Sequence, residues 1–174
     1  MKKIKTIGVI GAGSMGMAIA LNLQQKGYGI VIRDIRTDVE NTARNHGLVV
    51  ADSPAELAAK SDFILIIVVN AAQAHQVLFG VNGVSQIAPE NKTIMISSTI
   101  APDDTEIISK QLINHGFSVL DAPVSGGPVR ARDGTMSLML AGEDSVIAHH
   151  SDVLQAISDR IFRLGSRLGD GARY

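Results

Sequence analysis

The run Lys5-Thr-Ile-Gly-Val-Ile-Gly-Ala-Gly-Ser-Met-Gly16 constrains this chain more than any other stretch. A short apolar strand leads straight into Gly11-x-Gly13-x-x-Gly16. Ala18, Ile19, Ala20, Leu21 and Leu23 then follow at helical spacing. Strand, glycine turn and helix in that order make an anion site from backbone alone. Gly11 permits the tight turn, Gly13 lets the main chain approach a pyrophosphate, and Gly16 lets the helix pack close. The helix N-terminus adds free N–H groups and the positive end of its dipole. A glycine triplet by itself is a common structural turn. The strand before it, the helix after it and an acidic residue downstream favour dinucleotide binding. The loop residues Gly11, Ala12, Gly13, Ser14, Met15 and Gly16 are therefore candidate cofactor-binding residues.

The acidic residue is Asp34, which closes the second expected strand 18 residues beyond Gly16. A carboxylate there accepts hydrogen bonds from adenosine ribose hydroxyls and repels a 2′-phosphate. This favours NAD over NADP. Arg33 and Arg36 admit a second reading, because an arginine at this turn can hold a 2′-phosphate; otherwise both are solvated loop charges.

Apolar runs recur along the rest of the chain. Expected strands are 4–10, 29–34, 48–50, 63–69, 93–97, 117–121, 136–141 and 161–164. Most are continuously apolar, the pattern of strands buried on both faces of a parallel sheet. Helices fill the gaps. One starts at Ser53-Pro54-Ala55-Glu56, a capping box with Pro at the first helical position. Others start near Pro102-Asp103-Asp104 and Glu143-Asp144, with acidic residues in the first turn. Residues 122–134 are the only long irregular stretch expected. The alternation implies a Rossmann-type α/β fold, a doubly wound and mostly parallel sheet in a single domain over residues 1–165.

Bulk properties exclude several function classes. A chain of 174 residues suits one well-buried domain. A net charge of −1 and 3 % aromatic residues argue against nucleic-acid or membrane-surface binding. No cysteine means no disulfide, thiolate metal site or Cys nucleophile. The longest apolar run, 63–69, is too short for a membrane span. Met1-Lys-Lys-Ile-Lys5 is not followed by the apolar stretch of a secretion signal. The chain reads most simply as cytoplasmic.

Three further strand ends carry polar groups that face the ligand crevice in such a sheet. Asn70 and Gln73 follow one, and Ser98 and Thr99 follow the next. They either touch the nicotinamide half of a cofactor or cap the next helix or turn. After the third comes Asp121-Ala-Pro-Val-Ser125-Gly126-Gly127-Pro128. Consecutive glycine N–H groups beside a Ser hydroxyl can bind a carboxylate, and a segment of this kind is not needed to hold a cofactor.

Together, Gly-x-Gly-x-Met-Gly, Ser-Ser-Thr-Ile-Ala-Pro and Asp-Ala-Pro-Val-Ser-Gly-Gly-x-x-x-Ala-x-x-Gly resemble the β-hydroxyacid dehydrogenases, a family that includes 3-hydroxyisobutyrate and 6-phosphogluconate dehydrogenases. The resemblance covers essentially the whole chain, and residues 69–80 look most like the L-threonate dehydrogenase branch. It implies that the Gly11–Gly16 loop and Asp34 hold the adenosine half of NAD. It implies that Val68, Val69, Gln73 and Thr99 line the nicotinamide half, and that Ser125, Gly126 and Gly127 hold the substrate carboxylate or neighbouring hydroxyls. Many members have Leu-Pro at Val68-Val69 and Asn at Gln73. NADP-preferring members carry Asn-Arg-Thr where this chain has Arg33-Asp34-Ile35.

In that family a glycine pair then leads into a helix whose early Lys is the acid/base. Gly169-Asp-Gly171-Ala-Arg-Tyr174 matches the approach, and the chain ends one residue short of the Lys. The expectation is that residues 166–174 begin a connection to a helical second domain. No catalytic residue is then expected within this chain. The seven lysines lie away from the crevice. The five histidines form no metal pair, with His149-His150 read as an exposed helix face. Arg130 is either a surface charge or a contact for an acidic substrate. The implied partner is a small hydroxyacid, with a homo-oligomer for the full-length parent. A non-catalytic NAD-binding sensor or interaction module is the alternative. A P-loop phosphotransferase is excluded, since no Gly-Lys-Ser/Thr follows the glycines.

Overall fold

The computed structural model describes residues 5–171. Ile4 of the expected first strand and residues 172–174 of the expected connection lie outside the described residues. Among those described, nine strands form one sheet: β1 (Thr6–Ile10), β2 (Gly29–Arg33), β3 (Val49–Val50), β4 (Phe63–Ile66), β5 (Thr93–Ile96), β6 (Ser118–Asp121), β7 (Val124–Ser125), β8 (Met136–Ala141) and β9 (Ser158–Gly165). The helices between them are α1 (Ser14–Gln25), α2 (Thr37–Asn45), α3 (Pro54–Lys60), α4 (Ala71–Phe79), α5 (Pro102–Asn114), α6 (Gly127–Asp133), α7 (Asp144–His149) and α8 (Ser151–Ile157). The strand order begins β3-β2-β1-β4-β5-β6, all parallel. The order reverses between β1 and β4, which opens a crevice at the carboxyl ends of those strands. Beyond β6 the sheet changes direction. β8 is antiparallel to both β6 and β7, and β9 runs parallel to β8.

Helices cover both faces, and alternate residues of each central strand serve opposite cores. Ile7, Val9, Phe63 and Leu65 join Ile19 and Leu23 of α1 in one cluster. Ile10, Ile64 and Ile66 join Leu57, Leu78 and Leu112 of α3, α4 and α5 in the other. The Ile and Leu side chains among these are essentially fully buried; each contributes about 1.5–3 kcal/mol.

Local signals act as read. Ser53 Oγ accepts from Glu56 N at 3.1 Å, and the Glu56 carboxylate reaches back to Asp52 N at 2.9 Å. Pro102 opens α5, and Asp144 opens α7. Three expectations need correction. Residues 122–134 are not irregular: they hold β7 and α6. Pro128 stands in the first turn of α6, and Gly134 closes it in the left-handed region at φ +73°. The fourth strand stops at Ile66 rather than Val69, and Val69 is 79 % exposed. His150 is not on an exposed face. It is 2 % exposed, with its ring nitrogens against Thr93 Oγ1 at 2.7 Å and Lys5 Nζ at 3.2 Å. Its neighbour His149 does face outward.

Candidate cofactor site

The carboxyl ends of β1, β2 and β4 surround a cavity of about 510 Å³. Gly11, Gly13, Asp34, Val68, Val69 and Gln73 all line it, together with Arg33, Ile35, Arg36, Pro54, Gln76, Val77 and Val81. The volume suits a small-molecule or cofactor site, and the wall is mostly apolar with a few polar groups at one end.

The glycine loop forms the polar end. Gly11 has φ +95°, and a Cβ there would stand 2.2 Å from Ile67 O. A Cβ on Gly16 would strike Gly11 O at 1.9 Å, so this glycine lets α1 close onto the loop. Gly13 differs from both. A Cβ on it would meet nothing nearer than Arg36 Nη2 at 3.5 Å, an ordinary contact. The protein's own packing leaves space there, and the space lies on the cavity wall. Gly13 is the N-cap of α1 without a side-chain cap, so the N–H groups of Ser14, Met15 and Gly16 in the first turn have no intrahelical acceptor. A pyrophosphate fits such a cradle.

Asp34 sits just past β2, 8 % exposed. Its Oδ2 accepts from Ala12 N at 2.8 Å, and its Oδ1 accepts from Arg36 N at 2.9 Å and Arg36 Nε at 3.2 Å. Burial pushes this carboxyl up, but the hydrogen bonds from Arg36 and Ala12 outweigh burial and hold it below the usual range. The carboxylate thus ties the glycine loop to the end of β2. Arg33 pairs with Glu40 Oε1 at 3.0 Å, so of the two arginines Arg36 is the one bonded to the Asp34 carboxylate.

At the other end Val68 and Val69 present their side chains beside the cavity. Val68 N donates to Ser98 Oγ at 2.8 Å, which fixes this shelf to the end of β5. Asn70 caps α4 by accepting from Gln73 N at 2.9 Å, while Gln73 Oε1 accepts from Val69 N at 3.0 Å. Asn70 and Ser98 therefore have the structural employment that their sequence positions allowed. Gln76 and Val77, three and four residues beyond Gln73, escape the sequence reading although helical spacing puts them on the same face.

Thr99, Ser125, Gly126 and Gly127 do not line this cavity. Thr99 is exposed beyond β5. Ser125 is exposed on β7, opposite Ser137 of β8. Gly126, at φ +133°, and Gly127, at φ +75°, need glycine for their backbone alone. Arg130 folds back so that a Cβ on Gly126 would stand 2.7 Å from its Cδ. No group of three or more His, Cys, Asp or Glu among the described residues could hold a metal. No helix among them is long and apolar enough to cross a membrane.

Residues 6–165 match the family described as the NAD binding domain of 6-phosphogluconate dehydrogenase. The chain belongs to that family. Such a domain binds NAD, and the Gly13 cradle beside Asp34 fits it. An L-threonate dehydrogenase of Cupriavidus necator is 38 % identical over 169 residues, 97 % of this chain and 57 % of that protein. The crystal structure of a 3-hydroxyisobutyrate dehydrogenase from Salmonella typhimurium superposes with a TM-score of 0.90 at 34 % identity, over 97 % of this chain and 59 % of that one. A Mycobacterium tuberculosis 3-hydroxyisobutyrate dehydrogenase with L-serine gives a TM-score of 0.91 at 26 % identity, over 98 % and 57 %. The chain thus spans rather more than half the length of these relatives.

Proposed function

We propose that this chain is the cofactor-holding part of a dehydrogenase that oxidises a small hydroxyacid, of the L-threonate or 3-hydroxyisobutyrate kind, with NAD. The observation that carries the reading is the glycine cradle continuous with a cavity that runs from Asp34 to Val68, Val69 and Gln73. When bound, NAD supplies the hydride acceptor.

The chain's own residues bind and orient. The Gly11–Gly16 loop, Ala12, Ser14 and Met15 included, receives the pyrophosphate. Asp34 faces the adenosine ribose. Val68, Val69, Gln73 and Thr99 border the nicotinamide half. Ser125, Gly126 and Gly127 hold the substrate carboxylate through neutral donors. Residues 166–174 lead toward a second domain that supplies the acid/base, and the full-length protein is a homo-oligomer working in the cytoplasm. Dehydrogenase identity in the L-threonate relatives supports this substrate class.

The test is NADH formation by the full-length protein with L-threonate, 3-hydroxyisobutyrate and a panel of related hydroxyacids. Turnover with one of them is expected. NAD binding with no turnover on any would overturn the reading in favour of a sensor or interaction module.

A further inference from the structure

The segment after β9 returns across the carboxyl edge of the sheet, and one carboxylate holds it there. Gly169 N and Gly171 N both donate to Asp121 Oδ2 at 2.9 Å. Asp121 is the last residue of β6 and 1 % exposed. Arg167 pairs with Glu106 of α5 at 3.2 Å. A Cβ on Gly169 would stand 3.2 Å from Pro102 O at the start of α5, just beyond Thr99. A Cβ on Gly171 would stand 2.7 Å from Met139 O and 2.9 Å from Pro123 Cδ. Met139 N donates to Pro123 O at 3.1 Å, and the Ser125 loop departs from that pair. The returning segment is therefore wedged between the stretch after Thr99 and the root of the Ser125 loop.

Backbone amides or a neutral Ser or Asn side chain suffice to close a turn. A buried carboxylate is harder to desolvate than either, and it is tolerated when strong charge-assisted hydrogen bonds compensate it. Here they do so at the carboxyl edge, where the ligand crevice opens. We propose that Asp121 is a positioning residue: its carboxylate fixes the Gly169–Gly171 segment between the Thr99 and Ser125 loops and so sets the geometry of the substrate seat those loops frame. The inference rests on the reading of the Ser125 loop as that seat.

The test compares Asp121→Asn, which keeps size and one acceptor oxygen, with Asp121→Ala. Amide hydrogen exchange and NADH affinity are measured on the 174-residue chain, and kcat and KM on the full-length protein. Exchange at Gly169, Gly171, Gly126 and Gly127 is expected to rise at least tenfold in the Ala variant and less in the Asn variant. NADH affinity stays within about twofold, because Asp121 lies outside the cofactor cavity. In the full-length protein kcat falls roughly 10- to 100-fold, the scale of a small misplacement of reacting groups, with the KM for NAD unchanged. Unchanged exchange at the four glycines, or an unchanged kcat per folded molecule, would overturn the proposal. If Asp121→Ala does not fold, Asp121→Asn decides by the same readouts. A wild-type protein inactive on every hydroxyacid would defeat the dehydrogenase reading, and the exchange comparison would then decide the role of Asp121 alone.

Discussion

Gly13 and Gly16 are glycine for different reasons, and substitution separates them. Gly16 cannot carry a Cβ without striking Gly11 O, so Gly16→Val is expected to destabilise the fold by about 1–3 kcal/mol, as overpacking does. Gly13 has room for a Cβ in the protein itself. Gly13→Val is expected to lower stability little yet abolish NAD and NADP binding, as checked by thermal melting beside calorimetric titration. Retained affinity would remove the glycine loop from the pyrophosphate. Cofactor choice is expected to turn on Asp34 and Arg36. The buried carboxylate repels a 2′-phosphate and the exposed guanidinium beside it attracts one. NAD is expected to bind at least tenfold more tightly than NADP, since the repulsion acts at short range in a poorly solvated corner. Arg36→Ala is expected to weaken NADP by about a further fivefold, the scale of an exposed ion pair. Equal affinities in the wild type would mean that Arg36 outweighs Asp34.

Among the elements, the central strands are legible in the sequence because burial on both faces demands unbroken apolar runs, as in Phe63-Ile-Leu-Ile66. The same rule misleads just beyond them. Val68 and Val69 extend the run but leave the sheet: both border the cavity, Val68 still packed against the second core and Val69 largely exposed. The short helix α6 is hidden by its own glycine and proline, although Pro128 near its start and Gly134 at its end are the usual punctuation. The apolar cavity wall from α4 is hidden too, since sequence alone does not say which face of a helix meets a ligand. His150 is unreadable for another reason: its partners Thr93 and Lys5 come from distant parts of the chain and meet it only in the folded sheet. Burial first, then Lys5 and His149, push its imidazole down to about 4, against a weaker opposing pull from Asp152 and Asp62. The unfolded chain takes up this proton near pH 6.5 and the folded one only near 4. The contribution to stability is therefore complete above pH 6.5 and is lost as pH falls toward 4, about 3 kcal/mol in all. Urea melts of the wild type and His150→Gln between about pH 7 and 4.5 check this. The variant's stability is expected to fall less steeply, and parallel curves would show that His150 titrates normally.

At the scale of the whole molecule, holding a cofactor and moving a proton are separable tasks, and the described residues are equipped for the first. Among them, the ionisable side chains on the cavity wall are Arg33, Asp34 and Arg36, all at the end beside the glycine loop. Every described lysine is engaged elsewhere: Lys5 with Asp152, Lys60 with Glu56, Lys110 with Glu106, Lys26 with Ala156 O, and Lys92 with Ser61 O. Lys2 and Lys3 lie outside the described residues. His150 is packed against Phe63 and bonded to Thr93 at the opposite edge of the sheet. At the other end of the cavity, Val68, Val69, Gln73, Gln76, Val77 and Val81 bring no ionisable side chain that could take a hydroxyl proton. Loss of general-base help typically costs about 10²–10⁴-fold in rate. In the proposed reading a second domain also completes alignment of the reacting carbon, an effect worth roughly 7–11 kcal/mol when complete. The 174-residue chain is therefore expected to bind NADH while giving no detectable oxidation of L-threonate or 3-hydroxyisobutyrate, and the full-length protein is expected to oxidise one of this class. Parallel assays of NADH absorbance, with calorimetry to confirm that the shorter chain is loaded, make the comparison. Robust turnover by the 174-residue chain would place the base among residues 1–174.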